Sequence, residues 1–187
     1  GVAFKGDDTL KVSFLSETTA KILVLASNGK VFTLEASKLP GGRGFGDPVR
    51  LMVALDDGTE IVAALPSKPE SKLLIAGSDG RGFIAPSDAL VANTRKGKAI
   101  LGLDEGASAV LLVPAEGDHI AVCSSDKLML VFPASEVTEL SRGKGVRLQR
   151  CRQSRLKDAC VLALAEGLPW RDGAGQRLAQ SAMLEKW

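Results

Sequence analysis

Tyrosine is absent from all 187 residues, His119 is the only histidine, and aromatic residues make up 4% of the chain. Chemistry that needs a tyrosine nucleophile is therefore excluded. His119 opens a strand-like run with no Cys or carboxylate at ligand spacing, which makes it a core-edge or surface side chain rather than a catalytic one. With so few aromatics, the core must be built from Val, Leu, Ile and Ala. Cys123, Cys151 and Cys160 are odd in number and lack CxxC spacing. That suits neither a disulfide framework nor a zinc site, and reads as reduced thiols of a cytoplasmic protein. The longest apolar runs, such as Ile22 to Ala26 and Val110 to Val113, stop far short of the ~20 residues that cross a bilayer. No G-x-x-x-x-G-K-[ST] loop is present, since Gly97-Lys98 is followed by Ala99 and lacks the earlier glycine. Gly41 to Gly46 does not match G-x-G-x-x-G and precedes a strand-like run, and neither Asp7-Asp8 nor Asp56-Asp57-Gly58 has calcium-loop spacing. The opening residues, Gly1 to Lys5, carry no initiator Met and no signal-peptide apolar region, so a fragment of a longer chain is expected.

What is present is an ordinary globular composition, 45% hydrophobic and 25% charged, with a net charge of only +2. Such a balance does not by itself point to nucleic acid, so the distribution of charge has to be examined. The chain repeats. The segment from Lys21 to Leu34 returns as Lys72 to Ala85 and, more loosely, as His119 to Phe132. Each copy has two β-prone runs around Asn28-Gly29, Asp79-Gly80 or Asp126-Lys127. The first two are hairpin signals and predict type I′ turns. A short polar segment follows each hairpin, then a basic Gly-rich loop, then two further apolar runs. These runs are read as outer strand pairs: 49–55 with 61–65, 99–103 with 109–113, and 146–151 with 159–164. Four short strands per repeat predict an all-β fold, an open or broken β-propeller of about four blades, with repeats near 21–66, 72–114 and 119–164. Residues 1–20 and 165–187 are left over, either as a partial fourth blade or as caps on an open array. The last stretch, 176–187, reads equally well as a short helix or a disordered tail.

The same point of each repeat carries Gly41-Gly42-Arg43-Gly44, then Arg95-Lys96-Gly97-Lys98, then Arg142-Gly143-Lys144-Gly145. Glycine permits close backbone approach to a ligand, and Arg and Lys supply the charge-assisted bonds that phosphates accept. The third loop is the richest: Ser141 to Lys157 holds seven basic residues and no acidic one. The cations expected to contact DNA are Arg43, Arg50, Arg95, Lys96, Lys98, Arg142, Lys144, Arg147 and Arg150. The competing interpretation of any one such loop is a solvated turn with no ligand; recurrence at one blade position argues against it.

The segments Phe4 to Asp7, Glu17 to Thr19, Leu25 to Leu34, Lys38 to Met52, Ser78 to Phe83 and Arg142 to Gln149 resemble the C-terminal domains of type II topoisomerase A subunits, the gyrase A C-terminal domain family, in the ParC (topoisomerase IV) version. The resemblance runs from about Phe4 to Leu164. It implies a β-pinwheel that binds and bends duplex DNA and presents it for strand passage, in decatenation and chromosome segregation. It also implies a cytoplasmic, nucleoid-associated parent enzyme containing a ParC dimer and ParE. The domain itself is expected to be monomeric, non-catalytic and without cofactor, with ATP and magnesium needed only by the parent. Cleavage in these enzymes uses a tyrosine, which this chain lacks. The gyrase box, Gln-Arg-Arg-Gly-Gly-Lys-Gly, is reduced here to Arg142-Gly143-Lys144-Gly145, so gyrase-like tight wrapping is not implied. The rival class is a propeller whose rim binds an acidic protein partner.

Overall fold

The computed structural model describes residues 13–41 and 46–169. Among them lie three antiparallel sheets and only single turns of helix. The first hairpin joins β1 (Lys21–Ala26) to β2 (Lys30–Glu35), and β3 (Ile61–Pro66) flanks β1 on its other side. The second joins β4 (Lys72–Gly77) to β5 (Arg81–Pro86), with β7 (Ala109–Pro114) beside β4. In the third, β8 (His119–Ser124) pairs with β9 (Met129–Pro133) and with β11 (Leu156–Leu162).

The expected outer strand pairs do not form within a repeat. The two-residue strand β6 (Lys98–Ala99) crosses back to pair with β2 of the preceding repeat, and β10 (Val146–Arg147) likewise pairs with β5. Each of the first two blades is thus completed by the repeat that follows it. The same rule explains why residues 49–55, expected as a strand, are not one. Among the described residues no earlier repeat supplies a hairpin to receive a strand from them, and Val49–Met52 closes instead into one helical turn, α1, with Val53 N–H donating to the Val49 carbonyl at 3.0 Å.

The hairpins form where Asn28-Gly29 and Asp79-Gly80 signal them, but the turn type differs from expectation. Only the glycine has positive φ, +79° at Gly29 and +80° at Gly80. Gly29 N–H donates to Ala26 and Gly80 N–H to Gly77, which makes type I turns with a following left-handed residue rather than type I′ turns. The glycine serves a second purpose. A Cβ on Gly29 would lie 2.2 Å from the Leu101 carbonyl oxygen, and one on Gly80 would lie 2.3 Å from that of Gln149. The crossing strand therefore passes directly over the turn, and its amides bond there: Leu101 N–H to Gly29 at 3.0 Å and Leu148 N–H to Gly80 at 2.8 Å. The third hairpin has Lys127 at this position, with φ 65°, and among the described residues nothing crosses it.

Because blades stack face to face, both faces of the inner strands are buried, which accounts for their continuous rather than alternating apolar runs. Leu23, Leu25, Leu73, Ile75 and Phe83 fill the space between the first two blades. Leu74, Ala76, Ile84, Ile120 and Val122 fill that between the second and third. At the first blade's outer face, Ile22, Val24 and Phe32 are closed over by Val53 with Val49 and Met52 of α1. At the far end Leu168 packs on Ala121 and Leu162. Of the leftover ends assigned to a partial blade or caps, 1–20 and 165–187, residues 1–12 and 170–187 lie outside the described residues. No helix among the described residues is long and apolar enough to cross a membrane.

Candidate nucleic-acid interface

Strand crossing sets where the basic loops sit. The segment 100–102, just after the second loop, is stitched to the third: Gly143 N–H donates to Ile100 and Gly102 N–H to Gly143, both at 2.8 Å. The first hairpin turn, the segment 100–102 and the third loop therefore lie side by side. Gly97 and Gly145 also have a packing reason. A Cβ on Gly145 would lie 2.0 Å from the Gly82 carbonyl oxygen, and one on Gly97 would lie 2.8 Å from the Phe32 ring. In these loops glycine lets one blade dock on another, which is sufficient cause without a ligand.

The expected contact residues divide into two groups. Arg43 lies outside the described residues. Arg50 donates through Nη2 to the Thr59 carbonyl at 3.2 Å. Arg95 donates through Nε to the Met52 carbonyl at 3.2 Å and through Nη2 to that of Leu51, tying the second loop to α1. Lys98 Nζ donates to the Ala89 carbonyl at 2.7 Å, on the helical turn α2 (Ser87–Leu90). These three guanidinium and ammonium groups act as mortar between segments. Lys144 Nζ is paired with Asp104 Oδ1 at 2.5 Å. That contact, with a weaker pull from Arg81, holds the Asp104 carboxyl below the usual carboxylate range. The second group comprises Lys96, Arg142, Arg147 and Arg150, which are exposed and have no side-chain partner among the described residues. Arg152, Arg155 and Lys157 continue the same exposed run.

Sequence reasoning missed Arg81. It sits at the start of β5, and its Cα partner across the ladder is Arg147 of β10, so two cationic side chains leave the same face of the sheet. The equivalent place in the first blade sets Lys30 opposite Ala99. The available signal was that Arg81 aligns with Lys30 between repeats. Its pairing with Arg147, however, depends on a crossing that the repeat pattern does not reveal.

The thiols sit in ordinary surroundings. Burial pushes the Cys160 thiol up to about 11, and burial also raises that of Cys151. No group of three or more His, Cys, Asp or Glu side chains that could hold a metal occurs among the described residues. A groove of about 520 Å³ is lined by Thr33, Leu39, Leu51, Asn93 and Arg95 among others.

Comparison with known proteins agrees with this architecture. The family model described as the DNA gyrase C-terminal domain, β-propeller, matches residues 20–68, 71–114 and 118–158. The A subunit of DNA topoisomerase 4 from Caulobacter vibrioides is 41% identical over 175 residues, covering 93% of this chain and 23% of that protein. Its Rickettsia prowazekii counterpart is 35% identical over 181 residues, covering 96% of this chain and 24% of its own length. The chain thus spans about a quarter of these relatives. The solved E. coli ParC C-terminal domain superposes with a TM-score of 0.80 at 27% identity, covering 88% of this chain and 71% of that one. A gyrase A C-terminal domain superposes with a TM-score of 0.60 at 14% identity, covering 77% of this chain and 48% of that one, a likeness of fold alone. With three hairpin blades linked by crossing strands, and a family match to each, this chain belongs to the DNA gyrase C-terminal β-propeller family, in company with A subunits of topoisomerase IV.

Proposed function

We propose that this chain is a non-catalytic domain that binds duplex DNA on its basic rim and presents it to a parent topoisomerase IV for strand passage. The observation that carries this is the stretch Ser141 to Lys157, with seven cations and no acid. Of these, Arg142, Arg147, Arg150, Arg152, Arg155 and Lys157 are exposed and unpaired among the described residues. Long side chains with no internal partner are free to take phosphates, and each phosphate contact releases counterions. Recognition of this kind positions a duplex without reading its sequence. The bound segment is short and bent, because Arg50, Arg95 and Lys98 are engaged within the domain.

In the parent, cleavage by tyrosine, ATP use with magnesium, the ParC dimer contact and the ParE contact all belong to other segments. The cellular work is decatenation and chromosome segregation in the cytoplasm, at the nucleoid. The test is a gel shift with short duplex DNA across a salt series. Affinity should fall steeply with salt for every sequence tried. Alanine at Arg142, Lys144 and Arg147 together should flatten the salt slope by about one unit per lost contact. Alanine at Lys68, which is outside the loops, should leave the slope in place. Unchanged affinity and slope in a normally folded triple variant would reject the reading, and a salt-insensitive interaction with an acidic protein would favour the rival one.

A further inference from the structure

The turn that follows each outer segment changes sign along the array. It reads Asp56-Asp57-Gly58 in the first repeat, Asp104-Glu105-Gly106 in the second and Arg152-Gln153-Ser154 in the third. In the first repeat the acid serves its own blade: Asp56 Oδ2 accepts from Lys30 Nζ at 2.7 Å and from Asn28 Nδ2 at 2.8 Å. In the second, the equivalent Asp104 is held by Lys144, a residue of the next repeat's loop, at 2.5 Å. Arg81, which stands where Lys30 stands, keeps only a distant attraction to Asp104. It therefore faces Arg147 across the β5–β10 ladder with no carboxylate bonded between them. Directly opposed side chains of an antiparallel pair lie about 4.5–5.5 Å apart at Cβ, and like charges so placed destabilise the pair unless an anion is shared. Arg81, Arg147 and Lys144 bring three cations near Asp104, and the other carboxylate beside Arg81, that of Asp79, accepts from its backbone N–H at 3.2 Å. Planar guanidinium groups are suited to bidentate phosphate recognition.

We propose that Arg81 and Arg147 form a two-arginine seat for one backbone phosphate of the duplex, and that Asp104 is a resident competing anion which weakens that seat by holding Lys144. This rests on the DNA-binding reading and assigns it a point of contact and a built-in attenuator. The first blade, with Ala99 opposite Lys30 and with Asp56 already taken, has no such seat.

The experiment measures duplex affinity of the 187-residue chain by fluorescence anisotropy across a salt series, for wild type, Asp104→Asn, Glu105→Gln, Asp56→Asn, Arg81→Gln and Arg147→Gln. Asp104→Asn should tighten binding by up to about fivefold at low salt, with the gain fading as salt rises. Glu105 is an exposed acid in the same turn with no partner among the described residues, so it reports the general effect of one charge. Both Glu105→Gln and Asp56→Asn should gain less than Asp104→Asn. Arg81→Gln and Arg147→Gln should each weaken binding and flatten the salt slope by about one unit, and their double variant should lose less than the sum of the two. Should Asp104→Asn fail to fold, this coupling decides the matter alone. A gain no larger for Asp104→Asn than for Glu105→Gln, or an Arg81→Gln variant with unchanged slope, overturns the seat while leaving DNA binding standing. A wild-type chain that shows no salt-dependent binding overturns both.

Discussion

The second and third hairpins are copies of one repeat, yet the second is covered by a crossing strand and, among the described residues, the third is not. At matching register Phe83 is fully buried and Leu130 is 46% exposed. Just before them stand Gly80 and Lys127 at the turn. The cause lies outside either hairpin. The second receives β10 from the following repeat, whereas among the described residues the third receives nothing. A blade's core is thus decided by its successor, and a turn residue records whether a successor arrives.

The widest separation between the two should come from truncating the matched core positions. Phe83→Ala is expected to cost about 3–5 kcal/mol in denaturant unfolding, as for a fully buried aromatic, whereas Leu130→Ala should cost under about 1 kcal/mol. Equal losses would mean the third hairpin is covered as well. Substitution at the turn comes next. Gly80→Ala, which combines positive φ with a Cβ against the Gln149 carbonyl, should lose about 2–4 kcal/mol, while Lys127→Gly should stay within about 0.5 kcal/mol of wild type or gain slightly.

A subtler comparison sets the second basic loop against the third. Removing the Arg95 side chain frees two carbonyls from its guanidinium and should lower stability by about 1 kcal/mol with little effect on DNA affinity. Arg150→Ala should do the reverse, leaving the melting curve in place while weakening duplex binding at low salt. Matching effects of the two variants would erase the distinction between mortar and surface.

The smallest effect concerns the start of the third blade. The Leu164 amide, with His119, holds the Asp118 carboxyl below the usual carboxylate range. A depressed folded-state value means that its stabilisation is present above the unfolded carboxylate's range, about pH 4, and is lost as pH falls through the lower folded value. Wild type should therefore exceed Asp118→Asn in stability at neutral pH, and the two curves should converge on acidification.

Much of the blade interior was legible in sequence. Asn28-Gly29 and Asp79-Gly80 fixed two hairpins by local backbone chemistry, and the unbroken apolar runs of β1 and β4 matched strands buried on both faces. The partners of residues 98–99 and 146–147 were not legible. A two-residue strand carries no periodicity, and its ladder is formed with residues 64 to 69 positions earlier, Lys30 and Val31 for Ala99 and Lys98, and Gly82 and Arg81 for Val146 and Arg147. Residues 49–55 were misread for the same reason, having the apolar content of a strand but, among the described residues, no recipient sheet. At the site, the density of charge after Ser141 was visible, while the division between engaged and free cations was not. That division depends on which carbonyls, those of Leu51, Met52 and Ala89, end up within reach.

Backward donation of β6 and β10 also gives the molecule a direction in time. During synthesis the first blade stays one strand short until Ala99 has emerged, and the second until Arg147 has done so. Each unit must wait, with Phe32 or Phe83 partly uncovered, for nearly a whole further repeat. Any rearrangement that adds or removes a repeat must keep donor and recipient in phase. The length of chain that can be duplicated without leaving an orphan strand therefore runs from one crossing strand to the next, not from hairpin to hairpin.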